Sequence, residues 1–394
     1  MRILLALLAF TPIVSLAQSN AAASQKDTTL SLDIELRVRS EWRDGYRLMA
    51  LPDQTGNMTT FQRNRFGFSG GWGRMDFRIQ LQDVRNYGQP GGNTQGNMGA
   101  AEAWVSLEVR KGLKAVAGRQ KIDIDNGRII GAANWANPGR FLDGVQLIRT
   151  REQSRTALML FWDEINGTQR LVGHHTHRFG AKRTLTLLAF HQASDTEYSA
   201  FTGGATWKSK GAKAGWWAAE AYLQAPDAVD SKPASMWVLE AGRNGLAGHA
   251  TTVGIDLLSN AGQDGVAFRP LLGTNHKFYG WMDHFYLGAV TDGLINLHLR
   301  HSGPISESRS WGAVLHQFNT FDTQGLLAHE LDLFLTGKEK EGISWTVGWS
   351  MMKATTLHVQ RQGEILVDAW TPVADHLQQW GWVSLQFTPS IQLK

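Results

Sequence analysis

Residues 30–43, LSLDIELRVRSEWR, alternate between oil and charge with a period of two. Leu30, Leu32, Ile34, Leu36, Val38 and Trp42 fall on one face, interrupted by Ser40. Asp33, Glu35, Arg37, Arg39, Glu41 and Arg43 fall on the other. An extended strand sorts such a pattern into two faces, because its side chains point alternately to opposite sides. The same period returns along the chain. Phe66 and Phe68 oppose Arg63 and Arg65, and Phe77, Ile79 and Leu81 oppose Arg74, Asp76, Arg78 and Gln80. Val105, Leu107 and Val109 oppose Glu102, Ser106, Glu108 and Arg110, and far downstream Ile295, Leu297 and Leu299 oppose Asn296, His298 and Arg300.

No linker breaks this texture, which argues for one domain. Short links at 71–74, 111–114 and 209–213 alternate with longer polar stretches at 44–59, 86–99 and 123–140. Tight turns alternating with long loops are the rhythm of bacterial outer-membrane barrels. Counting strands on that rhythm predicts an all-β fold: a single antiparallel up-and-down transmembrane β-barrel of about 18 strands, with 16 as the alternative. A soluble β-sandwich or β-helix would use the same alternation with its apolar face inside. The strand count, the lack of a solenoid period and the 16 Trp and 17 Phe favour the barrel.

Magnitudes decide which face meets lipid. A charge on the lipid face costs roughly 2–4 kcal/mol near the bilayer midplane. Six such charges along 30–43 would approach the whole stability of a domain, about 5–15 kcal/mol. The charged row is therefore expected to line the lumen. Residues 1–17 read as a cleavable signal peptide: Arg2, an apolar stretch over 3–10, then Ser15-Leu16-Ala17 before Gln18. That leaves 18–394 for the barrel and an address in the bacterial outer membrane.

Composition excludes more than it assigns. With no cysteine there is no disulfide scaffold and no thiolate metal site. A net charge of +4 is too mild for a nucleic-acid binder. No cofactor fingerprint and no metal-ligand spacing occurs. "GFSGG" around Ser69 matches a nucleophile elbow, but that pattern matters only at a strand-to-helix turn, and here it lies within a strand. "HHTH" offers His175 and His177 on one strand face without a third ligand. An outer-membrane barrel hydrolase is the enzyme alternative; the expectation is no catalysis. The aromatic stretch 273–285, GTNHKFYGWMDHF, reads either as a gate or sugar-stacking patch folded into the mouth or as a membrane-edge girdle.

The pore-lining candidates are Arg37, Arg39, Arg63, Arg65, Arg74 and Arg78, placed inward by parity, together with Arg300. Arg119, Lys121, Arg128 and Arg140 follow in a stretch whose direction the alternation does not set. Rings of basic side chains select anions, and the guanidinium fork suits carboxylates. The expected activity is that of a passive channel with an electropositive lumen. Its expected partners are outer-membrane lipid, small anions or an anionic polysaccharide, and periplasmic export or uptake components. A general nutrient-uptake porin for oligosaccharides is the alternative.

Several stretches together resemble the alginate export family of outer-membrane barrels: FQRNRFGFSGGWG, AEAWVSLEV, GRQKIDIDNGRIIGAANWANPGRFLDGVQL, TNHKFYGWMDHF and HELDLFL. The resemblance spans nearly the whole mature chain. It implies an 18-stranded monomeric barrel with an arginine-rich constriction for an anionic polyuronate such as alginate. Carried over by matching motif, its site residues are Arg63, Arg65, Arg119, Arg128, Asp143, Lys277 and Asp283. In DGVQL, Gln146 and Ile148 occupy inward positions where arginine is frequent in that family.

Overall fold

A computed structural model describes residues 29–50, 56–87, 98–211, 214–227, 232–260, 267–285, 293–321, 325–365 and 377–393. The expected signal segment, 1–17, lies outside the described residues, as do parts of the long polar stretches, 51–55 and 88–97. The chain is built almost wholly of strands: β1 (Thr29–Asp44), β2 (Asn57–Trp72), β3 (Met75–Tyr87), β4 (Gly99–Arg110), β5 (Leu113–Gln120) and β6 (Leu142–Thr150). Next come β7 (Ser154–Asp163), β8 (Thr168–Phe179), β9 (Arg183–Ser194), β10 (Ala200–Lys210), β11 (Gly215–Pro226) and β12 (Ala234–Asn244). The remainder are β13 (Ala250–Leu258), β14 (Leu294–Pro304), β15 (Arg309–Asn319), β16 (Leu326–Lys338), β17 (Ile343–Ala354), β18 (Gln378–Phe387) and β19 (Ser390–Leu393). Among the described residues one α-helix, α1 (Thr356–Ile365), lies between β17 and β18.

From β1 to β18 every strand pairs antiparallel with the next, and β18 and β19 both return to β1. The final two segments are one strand interrupted at Pro389. Leu36 pairs with Phe387 and Asp33 with Ser390, while Ile34 N–H still donates to the Pro389 carbonyl at 3.3 Å. Counted so, the sheet closes on itself with 18 strands, as the loop rhythm predicts. Closure leaves no strand edge for backbone groups to meet lipid unpaired. At one end the links are tight, as at Gly73, whose φ of 57° lies in the left-handed region that suits glycine. At the other end lie the long loops, including 45–56, 121–141, 259–293 and 355–377.

Parity holds on the first strands as the energies require. Leu36, Val38, Phe66, Phe68, Ile79 and Leu81 are exposed on the outer wall, whereas Arg37, Arg39, Glu41, Arg63 and Arg65 are buried inside it. Exposed apolar residues continue around the cylinder through Leu158, Leu171, Trp237, Val253, Leu299, Leu315 and Val383. A closed belt of this kind is a lipid-facing surface.

The interior corrects the expectation of a uniformly ionic bore. Strands β7 to β12 carry apolar residues inward too: Met159, Phe161, Val172, Phe190, Tyr222 and Met236 are buried. They pack against Ile129, Ile130, Phe268, Tyr279 and Met282 from the 121–141 and 259–293 loops. The hydrophobic core therefore sits inside the barrel, where two loops fold into it.

Candidate functional site

The inward arginines of β1 and β2 do not face open water. Five consecutive backbone carbonyls of the 121–141 loop, Asn134 to Pro138, turn toward them. Arg37 donates to the carbonyls of Asn134 at 3.1 Å and Ala136 at 3.3 Å. Arg39 Nη1 donates to Trp135 O at 2.7 Å. Arg63 Nη1 reaches the carbonyls of Asn134, Ala136 and Asn137 at 3.0, 3.2 and 3.2 Å, and Arg65 Nη2 reaches Pro138 O at 2.9 Å. Two acids complete the cluster. Arg63 Nε donates to Glu35 at 2.7 Å, and Arg39 Nε to Glu41 at 2.6 Å. Trp135 lies over the Arg39 guanidinium, whose carbon is 4.1 Å from the ring centroid. These four arginines are loop anchors: Arg63 is 0% exposed and Arg37 6%.

The same loop is held at the far wall by the reverse arrangement. Arg128, also 0% exposed, meets three acids on three adjacent strands: Glu220 of β11 at 3.2 Å, Glu240 of β12 at 3.4 Å and Asp256 of β13 at 3.1 Å. The Phe278 ring covers its guanidinium at 4.0 Å. Strands β2 and β11 lie half the ring apart, so the 121–141 loop crosses the bore from wall to wall.

A second infolded loop is stapled to the first. Ile130 and Leu272 form a parallel bridge, and Thr274 N–H donates to Gly127 O at 2.9 Å. Arg140 donates to the carbonyls of Gly131 and Leu272, one from each loop. The backbones meet where glycine permits: a Cβ on Gly273 would lie 2.4 Å from Arg128 O. Asp283 then ties this loop to the first long loop, accepting from Tyr46 Oη at 2.6 Å and lying 2.8 Å from His276 Nδ1. His284 Nδ1 lies 3.1 Å from His358 Nε2 of α1. Of the two placements of 273–285, the one found is inside the mouth, not along the membrane edge.

The other candidates separate. Arg78, inward and partly exposed, is shared by Asp33 at 2.8 Å and Glu102 at 2.9 Å, below the loop anchors. Arg74 instead occupies the exposed Gly73–Arg74 turn, because β2 and β3 stop at Trp72 and Met75. Arg119 and Asp143 are register partners of each other and stand on the outer face with Val105 and Val145. Their bidentate pair belongs to the rim, outside the bore. Arg110 also faces outward, since a bulge after Glu108 inverts the parity. Lys121 is exposed where the loop leaves β5. Gln146 faces inward as expected, and its amide donates to Gln120 at 2.5 Å. Ser69 lies mid-strand with its hydroxyl 2.8 Å from that of Ser31, away from any helix. His175 and His177 lie outside and stack, while His174 is buried inside.

Accessible cationic groups lie on the wall opposite the arginine ladder. Lys208 is half-exposed and paired with Asp125 at 2.5 Å. Lys277 is exposed and donates to Asn126 O at 3.1 Å. Partial desolvation of the ammonium end within the mouth, then the like charges of Arg300, Arg128 and Lys208, lower Lys277 below its ordinary value. Arg300 faces inward on β14 and has no ion pair among the described residues. Beneath the crossing loop a cavity of about 690 Å³ is lined by Arg178, Lys182, Lys208, Lys210, Trp216 and Glu220. Sequence reasoning missed Glu220, Glu240 and Asp256. Each is the one acid of its strand and faces the interior, which is a signal for a buried cationic partner.

Removing one member of a buried ion-pair cluster costs about 3–5 kcal/mol by leaving uncompensated charge. Arg128→Ala should therefore free the crossing loop, raising single-channel conductance and exposing 121–141 to protease in the folded barrel. Burial pushes the His284 imidazole down to about 4, and burial followed by neighbouring His284 pushes His358 down to about 3. In released loops these rings titrate near ~6.5. Below that pH the released state binds protons that the closed state refuses, so closure is most stable above ~6.5 and weakens toward pH 4. Conductance should rise between pH 7 and pH 4.5, and less steeply in His358→Gln; a pH-independent wild type would contradict this.

Comparison with known proteins gives a fold and no closer relationship. No family model and no curated protein matches the chain. Among solved structures, it is similar to OccAB1 of Acinetobacter baumannii at 10% identity and TM-score 0.60, covering 96% of this chain and 100% of that one. It is similar to the outer membrane protein OprD of Pseudomonas aeruginosa at 12% identity and TM-score 0.61, covering 94% and 96%. For OpdL of Pseudomonas aeruginosa the values are 11% and 0.64, with coverage of 93% and 99%.

Proposed function

We propose that the chain is a passive channel of the bacterial outer membrane that conducts small anionic solutes, with carboxylates and short uronates as the best-fitting class. The observation that carries this reading is the pair of accessible cations Lys277 and Arg300 beside the cavity lined by Lys182, Lys208 and Lys210, where Lys208 is paired with Asp125 and the facing acids Glu220 and Glu240 are engaged by Arg128. A cation held among cations is relieved by a passing anion. Concentrating anions in this way, with each contact weak enough to release, is what conduction requires. The fold shared with outer-membrane barrels and the exposed apolar belt support the location.

Acidic polysaccharide such as alginate is the finer form of the reading. Two stapled loops across the bore favour short anions over a threaded polymer. A passive pore has no intrinsic direction, so uptake and export are served alike, and neither needs a catalytic group.

Lys277→Glu combined with Arg300→Glu should lower the anion-to-cation permeability ratio at least about threefold, as charge reversal in a water-filled bore implies. Reversal potentials in a salt gradient across planar bilayers measure it. An unchanged potential in the double variant would contradict the assignment of this wall.

A further inference from the structure

The outer wall carries a second cationic feature, on the lipid side. Near the tight-turn end of β4 to β8, Arg110 pairs in register with Leu113, and Leu113 with Arg149. Arg149 is opposite Thr156, and Thr156 opposite His175, whose Nδ1 is 2.8 Å from the Thr156 hydroxyl. All stand on the face that exposes Leu147 and Leu158 one step further into the belt. Together with Arg151 they line a groove of about 420 Å³. Arg110, Arg149 and Arg151 make no ion pair among the described residues, and neither does Glu152 in the same turn.

Unpaired arginines on a lipid-facing wall are tolerated only at the level of the headgroups. Three of them converging above leucines form an amphipathic site: guanidinium forks suited to phosphate oxygens at one end, hydrocarbon at the other. We propose that this groove binds the phosphodiester headgroup of an anionic phospholipid of the periplasmic leaflet, with an acyl chain lying along Leu113, Leu147 and Leu158. The site rests on the outer-membrane placement proposed above, in which the tight turns face the periplasm.

Native mass spectrometry of the detergent-released barrel, offered equimolar phosphatidylglycerol and phosphatidylethanolamine of the same acyl chains, tests it. The wild type should retain phosphatidylglycerol at least about fivefold better. Arg110→Gln/Arg149→Gln/Arg151→Gln should bring the ratio near one, while Arg309→Gln/Lys338→Gln/Lys340→Gln, three charges removed elsewhere on the same rim, should leave it unchanged. Equal retention of both lipids by the wild type, an equal loss in the second triple variant, or displacement by inorganic phosphate at the same concentration would overturn the proposal. Heat-modifiable gel mobility reports folding in each case. A folded barrel without lipid preference defeats the groove alone, whereas a wild type that inserts into no vesicle defeats the membrane placement with it.

Discussion

An irregular loop inside a membrane barrel brings backbone carbonyls that neither strand nor helix satisfies. Non-helical backbone at membrane depth survives only when protein or water meets those groups. Here guanidinium groups meet them: Arg37, Arg39, Arg63 and Arg65 donate to five successive carbonyls from Asn134 to Pro138. The cost of burying four like charges is offset by those dipoles and by Glu35 and Glu41. One end of the loop that crosses the bore is hung on this contact.

The far end of the same loop obeys the opposite rule. A single arginine, Arg128, enters a wall of acids, so the loop is a strut between a basic anchor and an acidic socket. The 259–293 loop leans on that strut through the Ile130–Leu272 bridge and Arg140, and the first long loop and α1 lean on it in turn through Asp283 and His284. The arginines that are most abundant in sequence are thereby withdrawn from solutes. Lys208, Lys277 and Arg300 stay accessible on the opposite wall, the first two held against the strut at Asp125 and Asn126; they are the residues to which the proposed function assigns selectivity.

The barrel was legible because lipid and water impose opposite demands on neighbouring residues, which a period of two records directly. Strand β1 shows it fully, and the inward placement of Gln146 in β6 follows from the same rule. The rule fails where the sheet departs from regularity. Arg110 is inverted by a bulge, Arg74 is released by a turn, and Arg119 with Asp143 form a neutralised pair on the rim that alternation alone cannot tell from a lumen pair. The role of the ladder was not legible at all. Parity tells which way Arg63 points; it does not tell that a loop 71 residues later supplies carbonyls to meet it. The solitary acids Glu220, Glu240 and Asp256 were the readable trace of that loop's other end.

The arginine ladder acts either as a clamp for the loop or as a binding surface for solute, and its contacts to five carbonyls make it a clamp. Single-channel recording of Arg63→Met/Arg65→Met, with heat-modifiable mobility confirming a folded barrel, separates the two. A clamp predicts larger conductance with anion preference retained, since the cations on the opposite wall are untouched. Unchanged conductance with anion preference lost would mean that the ladder itself meets the solute.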